Sequence, residues 1–219
     1  NEASISFDVT ISAEADTGIV SDDFPLTPQN MRFHNDFTAH PTNGWLYGTC
    51  ASGGIHDQGM IYRVNSTGGY QTLVHFTNNG AHNPGKEPAG RMVLATDGNF
   101  YGATASGGAN GFGTVFKMTP EGELTTLVSL TGTSGAAMGE APFGGLFLGP
   151  DGHFYGATKY GGADNMGTIF RITPGGEFTS LVSFTGDGAS NKGSRPTGAL
   201  TLGADGNFYG TTGTGGAFD

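Results

Sequence analysis

Cysteine is almost absent from the 219-residue sequence, which contains a single one, Cys50. An internal disulfide is therefore excluded, and cysteine pairing gives no information on the redox compartment. Long apolar runs are absent too, because no stretch approaches the roughly 18 to 20 residues of a membrane-spanning helix. The N-terminus has neither an initiating methionine nor an apolar signal region, so we expect a processed or excerpted chain.

Charge is scarce and its balance is acidic. Charged residues make up 13% of the sequence, with 9 Lys and Arg against 19 Asp and Glu, which gives a formal net charge of −10. Nucleic-acid binding needs clustered Lys and Arg, so we expect no nucleic-acid partner, and we expect no membrane insertion. The low charge content also excludes a coiled coil and a charged disordered tail.

Glycine, by contrast, is abundant, with 41 of the 219 residues. These glycines follow no three-residue period and are accompanied by only 10 Pro, which excludes collagen. The 16 Phe and 7 Tyr supply the material for a core. Bulky residues set among glycines are typical of an all-β protein rather than of Leu-rich helices.

A repeat of 54 residues runs through the chain, with copies that start at residues 43, 97, 151 and 205. Its marker reads Asp97-Gly98-Asn99-Phe100-Tyr101-Gly102 in the second copy, and a second motif at the same step reads Gly113-Thr114-Val115-Phe116-Lys117. For the blade that contains this marker we predict strand A at 92–94, strand B at 99–104, strand C at 114–119 and strand D at 124–130. Asp97-Gly98 favours a tight hairpin in which both central residues have positive φ. Four strands in a period near 50 residues are typical of a β-propeller blade.

The sequence therefore predicts an all-β chain forming a single β-propeller domain over residues 1–219, most simply with four blades of four antiparallel strands. The last repeat supplies only strands A and B, whereas residues 5–11 alternate between apolar and polar as a half-buried strand does. We accordingly predict that residues 1–42 complete the last blade and lead into the first, so that this blade is shared between the N- and C-termini. The main alternative is a fragment, or half of a larger ring.

The repeat is similar to a known family. The run from Asp97 to Thr104, the Gly-Gly pair, the run from Gly113 to Pro120 and Thr125-Thr126-Leu127-Val128-Ser129 resemble the GloVer-type tandem repeat of secreted and surface-anchored bacterial proteins. This resemblance is specific over residues 58–216, and it implies a predicted propeller fold and an extracellular or cell-surface location. The Asp-Gly-x-Phe-Tyr element also resembles hairpins in small lectin propellers of the tachylectin kind.

Several recurring residues are interpreted as structural. Both faces of a propeller blade pack against neighbouring blades, so we expect the recurring Tyr and Phe residues to form the core. We expect the Asp-Gly elements to be turns, and the cations Arg63, Lys117 and Arg171 to be solvated or paired. Cys50 aligns with threonines, which indicates a position for a small side chain rather than a reactive thiol. The recurring aromatics are Tyr47, Tyr101, Tyr155, Tyr209, Phe100, Phe154 and Phe208.

Metal-ligating patterns are weak. His34, Asp36 and His40 are of residue types that bind Zn²⁺, but their spacing matches no established motif. The segment from Asp187 to Asn191 offers oxygen atoms without the spaced carboxylates of a strong Ca²⁺ loop. We therefore expect no cofactor and no resident metal, with Ca²⁺ as the alternative.

The loops between strands B and C, and those between strand D and the next strand A, vary while their flanking glycines do not. In a propeller these two loop sets share one rim, and binding residues concentrate on loops held by a rigid scaffold. Loops that merely drift in sequence would give the same pattern. The candidate ligand-binding residues are His56, Asp57, Gln58, Asn110, Phe112, Asp164 and Asn165.

Three functions follow from these observations. The first is a non-catalytic extracellular binding module with glycan as the leading ligand class, or another surface polymer. The second is a structural or self-assembling surface or filament subunit, in which the N-terminal strand completes the next molecule head-to-tail. The third is a glycan-active enzyme. No Gly-x-Ser-x-Gly elbow, phosphate-binding loop or His-Glu-x-x-His motif is present, so no catalytic residue is assigned and we expect no enzyme.

Overall fold

The computed structural model of the chain describes residues 36–188 and 190–215. In these ranges the chain forms strands, turns and bends, and no helix with the length and hydropathy of a membrane span is found there. The strands are β1 (Thr38–Ala39), β2 (Trp45–Cys50), β3 (Met60–Asn65), β4 (Tyr70–His75), β5 (Lys86–Leu94), β6 (Phe100–Ser106), β7 (Thr114–Met118), β8 (Leu124–Ser129), β9 (Leu146–Leu148), β10 (Phe154–Thr158), β11 (Thr168–Ile172), β12 (Phe178–Ser183), β13 (Ser194–Pro196), β14 (Thr201–Leu202), β15 (Phe208–Tyr209) and β16 (Thr212–Thr214).

The strands assemble into blades that follow chain order. Strands β1 to β4 form the first antiparallel four-stranded sheet, β5 to β8 the second and β9 to β12 the third. The last repeat contributes two antiparallel ladders, in which β13 pairs with β16 and β14 pairs with β15. The predicted all-β propeller with antiparallel blades is confirmed. The predicted strand at residues 5–11 lies outside the described residues.

Strand A of the second blade is longer than predicted. It begins at Lys86 rather than at residue 92, because Pro88 and Ala89 pair with β6 before the register shifts and the ladder resumes at Val93. Pro88 and Gly90 are poor strand residues by propensity. They are tolerated here because β5 is the edge strand of its sheet, where a missing N–H breaks no ladder on the open side.

The Asp-Gly hairpin differs from the expected turn. Gly98 has a φ of 78°, but Asp97 does not have positive φ. The Gly98 N–H donates to the Ala95 carbonyl, and the Ala95 N–H donates to the Asn99 carbonyl. This pattern is a type I turn closed by one left-handed residue, which needs glycine only at its last position.

The core lies between blades. In each pair of blades, the tyrosine of one strand B stacks against the phenylalanine of the next. The stacks, by ring-centroid distance, are Tyr47 on Phe100 at 4.2 Å, Tyr101 on Phe154 at 4.0 Å and Tyr155 on Phe208 at 4.3 Å. Tyr101 is fully buried, which confirms the core interpretation, whereas Tyr209 in the last repeat is 56% exposed.

Within each blade, a glycine of strand B faces an aromatic residue of strand C. Gly102 pairs directly with Phe116, and a Cβ atom at residue 102 would lie 2.5 Å from the tip of that ring. Gly156 and Phe170 repeat the arrangement in the third blade. The recurring glycine after Phe-Tyr therefore has no side chain because a core ring packs against its backbone.

Buried hydroxyl pairs join strands B and C at their rim ends. The Oγ1 atoms of Thr104 and Thr114 lie 2.8 Å apart, and those of Thr158 and Thr168 repeat the distance. Cys50 takes the equivalent position in the first blade and is completely buried opposite Met60. The expectation of a small side chain at Cys50 agrees with this packing.

Candidate functional site

At one edge of the molecule, which we call the rim, backbone hydrogen bonds join successive blades. We use the term rim for residues 51–59, 107–113 and 159–167, between strands B and C, together with residues 76–85, 130–139, 184–188 and 190–193, between strands D and A. In each of the first three blades, the loop after strand B accepts a backbone hydrogen bond from a residue that lies in, or shortly before, the first strand of the next repeat. The donor and acceptor pairs are Glu87 N to Gln58 O at 2.9 Å, Ala141 N to Phe112 O at 3.1 Å and Arg195 N to Met166 O at 2.9 Å.

The two loop sets are also connected directly. The Gly108 N–H donates to the Asn78 carbonyl at 2.8 Å, and the Gly162 N–H donates to the Gly132 carbonyl at 3.1 Å. The D-to-A loops that follow the first and second blades therefore each contact the B-to-C loop of the following blade. The two loop sets lie together, as the rim hypothesis requires.

Four of the predicted ligand-binding side chains are engaged within the protein. Asp57 and Asn165 accept hydrogen bonds from the glycine N–H groups that open their loops, at 2.9 and 2.8 Å. Gln58 donates to the His56 carbonyl and Asn110 donates to the Leu130 carbonyl, both at 3.0 Å. These four side chains stabilise the loop conformations. They therefore determine the shape of the rim rather than provide hydrogen-bonding groups for a ligand.

The other three predicted residues are differently placed. His56 and Asp164 are exposed, and in the described part of the chain their side chains form no hydrogen bond or ion pair. Phe112 is half-buried and its ring lies against Gly132. Among the described residues, hydrogen bonds between predicted residues occur within one loop, as in Gln58 to His56. Loops of successive blades are linked through backbone groups.

Sequence reasoning missed a cluster at the rim edge of the third blade. The Lys159 ammonium lies 5.7 Å from the ring centroid of Phe143 and 5.2 Å from that of Tyr160. Phe143 is 45% exposed, and the backbones of Glu140 and Tyr160 exchange two hydrogen bonds. A comparison of the repeats could have found this cluster, because these positions differ between blades. The second blade carries Ala89, Ala105 and Ser106 where the third carries Phe143, Lys159 and Tyr160.

The opposite edge of each blade carries a polar group built on the Asp-Gly hairpin. The Asp97 carboxylate accepts hydrogen bonds from Tyr101 at 2.8 Å and from Lys117 at 2.9 Å. Burial alone would raise the pKa of Asp97, but the Lys117 ammonium and the donors Asn99 and Tyr101 outweigh it and lower the pKa to about 2. These contacts support the structural interpretation of the hairpins and of Lys117.

The same group recurs in the later repeats with different donors. His153 and Tyr155 donate to Asp151, at 2.7 and 2.8 Å. The contact with His153, followed by that with Tyr155, lowers the pKa of Asp151 to about 2 despite the opposing effect of burial. Asp205 has the corresponding donors Asn207 and Tyr209, and these lower its pKa to about 2 as well.

Acid is therefore expected to destabilise the fold in a defined window. The folded-state pKa of Asp97 is lowered from 3.8 to about 2, so its contribution to stability is present above about pH 4 and is lost as the pH falls toward 2. In thermal unfolding monitored by circular dichroism, the wild type should lose melting temperature faster than Asp97→Asn across this window. Parallel curves for the two proteins would contradict this assignment.

Metal-ligand groups do not converge in residues 36–188 and 190–215, where no cluster of three or more His, Cys, Asp and Glu side chains is found. Asp36 is exposed. The half-buried His40 ring lies beside the aromatic core, 6.4 Å from the ring of Tyr47 and 6.2 Å from that of Phe100. His34 lies outside the described residues, as does Ala189 of the segment considered for Ca²⁺.

Comparison with known proteins gives a family match. The sequence profile of the Gloeobacter/Verrucomicrobia repeat matches residues 4–219 of this chain. The match extends over the N-terminal segment that carries little of the visible repeat pattern. A search of curated proteins by sequence finds no match.

The solved structures that are similar in fold include two lyases. Virginiamycin B lyase from Staphylococcus aureus is 18% identical with a TM-score of 0.47, and the match covers 80% of this chain and 47% of the lyase. An ulvan lyase, a polysaccharide lyase solved with a bound saccharide, is 18% identical with a TM-score of 0.44, and the match covers 72% of this chain and 39% of that protein. The chain thus spans less than half the length of either structure.

The expectation that the chain is not an enzyme is corrected by these comparisons, because the similar solved structures include lyases. The sequence contains no acyl-transfer, phosphate-binding or zinc-protease motif, but the absence of those motifs does not exclude other reaction types. At 18% identity the similarity concerns the fold, and it assigns no reaction or catalytic residue to this chain.

Proposed function

The chain belongs to the Gloeobacter/Verrucomicrobia repeat family, and from this premise we propose that it is an extracellular β-propeller binding module whose rim takes glycans. The repeats form the frame, and the side chains that differ between repeats form the recognition surface. Binding residues concentrate on loops that a rigid scaffold positions. Whether binding is coupled to a reaction is a separate question from where the ligand binds.

One observation carries the proposal. The rim backbone is held by equivalent hydrogen bonds in all three loops between strands B and C, with donors that share nearly the same φ of 56°, 58° and 55° at Glu87, Ala141 and Arg195. The exposed side chains on this constant frame differ in each blade, and they include His56 and Asp164. A constant backbone that presents varied polar groups is suited to recognition.

The chemistry of the exposed groups favours a glycan. A sugar offers many hydroxyl groups that both donate and accept hydrogen bonds, and imidazole, carboxylate and carbonyl groups can pair with them. Nucleic acids are disfavoured because their binding needs clustered Lys and Arg, and the chain has only 9 of these residues against 19 Asp and Glu. An exposed aromatic ring such as that of Phe143 adds a surface on which a sugar ring can stack.

We expect the purified chain to bind members of a glycan array, and we expect Asp164→Ala to weaken that binding by about fivefold to tenfold, the effect of losing one or two hydrogen bonds. Asp164 is suitable because its carboxylate supports no loop contact, so the fold should be retained. The measurement is titration calorimetry with the best glycan from the array.

Glu121→Ala is the matched control for this test. Glu121 is an exposed carboxylate in the turn between strands C and D, on the opposite edge of the second blade. Its removal makes the same charge change and should leave affinity unchanged. The proposal fails if no glycan binds, or if the bound glycan is sensitive to Glu121→Ala and not to Asp164→Ala.

A further inference from the structure

Among the described lysines, Lys159 is held in an unusual way. Lys86 and Lys117 each form an ion pair with a carboxylate, Glu87 and Asp97 respectively. Lys159 forms no ion pair among the described residues, and two aromatic rings lie within 6 Å of its ammonium instead. A cation near the face of an aromatic ring is stabilised by the ring quadrupole without losing its hydrogen-bonding protons. The ammonium thus stays available for an anion from outside the protein.

The surroundings of Lys159 favour a sugar as the carrier of that anion. Phe143 remains 45% exposed while its ring borders the ammonium. An exposed aromatic face attracts the C–H groups on one side of a pyranose ring, since these carry partial positive charge. A carboxylate or sulfate on the same sugar would then lie within reach of the Lys159 ammonium, in a charge-assisted hydrogen bond.

The cluster is also specific to one blade. The equivalent positions in the second blade carry Ala89, Ala105 and Ser106, which have neither an aromatic ring nor a charge. The fold therefore does not require Phe143, Lys159 and Tyr160. The backbone contacts at these positions, Lys159 N to Ala141 O and the paired bonds between Glu140 and Tyr160, hold the three side chains on the rim edge.

We propose that Phe143, Lys159 and Tyr160 form a subsite for an acidic sugar, in which the Lys159 ammonium binds the carboxylate or sulfate and Phe143 stacks on the sugar ring. The inference rests on the proposed glycan-binding function and names a ligand class and a position for it. A single subsite in the third blade further implies that each chain binds one acidic residue of a polymer there.

The experiment compares acidic and neutral forms of the same sugar chain. The probes are oligogalacturonate with its fully methyl-esterified form, and dextran sulfate with dextran. These two pairs separate carboxylate recognition from sulfate recognition. We expect one acidic probe to bind about tenfold or more tightly than its neutral partner, and we expect Lys159→Ala to remove that preference. Phe143→Ala should weaken binding of both members of the pair.

The repeat supplies substitutions that should fold, because Lys159→Ala and Phe143→Ala each install the residue of the second blade at that position. Lys192→Ala is the matched control, since Lys192 is an exposed lysine of the same rim and its loss changes the net charge equally. The subsite is refuted if acidic and neutral forms bind alike, or if Lys192→Ala and Lys159→Ala reduce the preference equally. Either result leaves glycan binding itself intact. Absence of binding to all four probes and to the glycan array removes the proposed function and this inference together.

Discussion

Replacing Phe154 by alanine is expected to lower the free energy of unfolding by about 3 to 5 kcal/mol, the range for losing a fully buried aromatic side chain. The Phe154 ring is completely buried and stacks on Tyr101 of the preceding blade at a centroid distance of 4.0 Å. It also belongs to the cluster that contains Val115 and Phe170. Removing the ring therefore opens a cavity between two blades, and domains of this kind have only about 5 to 15 kcal/mol of stability in total.

Phe143→Ala is the control for this prediction, because it makes the same side-chain change in the same blade at a position that is 45% exposed. Phe143→Ala should lower the free energy of unfolding by less than about 1 kcal/mol, as is usual for exposed positions. Urea denaturation followed by tryptophan fluorescence at Trp45, or by circular dichroism, gives both values. Equal losses for the two variants would mean that the stack of Tyr101 on Phe154 does not join the blades energetically.

Much of the fold could be predicted because the same pattern of strand and turn residues occurs several times in the sequence. Three sequence features indicate blades without any distance information. They are the alternation of side-chain environments in the strand that contains Phe100 and Tyr101, the glycine at each turn, and the fixed period of the repeat. Strand A was the part predicted least well. Pro88 and Gly90 are strand-breaking signals, and only the assembled sheet reveals that this strand is an edge, where such residues are tolerated.

The sequence predicted that the two loop sets share a rim, but it did not predict how their side chains are used. Variable loops between constant glycines pointed to the rim, and the hydrogen bonds of Glu87 and Ala141 show that loops of successive blades lie together there. The sequence could not show that Asp57 and Asn165 use their side chains to close their own loops. Lys159 was missed because it lies next to the end of a strand, outside the glycine-bounded segments, and its two ring partners come from different parts of the repeat.

Gly113→Ala is expected to lower the free energy of unfolding by about 3 kcal/mol or more, from backbone strain and overpacking of about 1 to 3 kcal/mol each. Gly113 has a φ of 102°, which a residue with a side chain adopts only under strain. A Cβ atom there would lie 2.4 Å from the Thr104 carbonyl oxygen and 3.1 Å from Cδ of Pro142 in the next blade. Both neighbours are held in place, so neither can move away at low cost.

Gly111 provides a comparison in which the close contact with the next blade is absent. It lies in the same loop with a φ of 82°, and a Cβ atom there would meet no other atom within 4 Å. The equivalent position in the third blade is already Asn165, with a φ of 59°. Gly111→Asn should therefore change stability by less than about 1 kcal/mol, because asparagine tolerates left-handed backbone and restricts the unfolded chain. If Gly113→Ala proves as mild as Gly111→Asn in chemical denaturation, the glycine before strand C does not provide the close contact between successive blades. If only Gly113→Ala is severe, that contact sets the spacing of the rim on which the proposed binding depends.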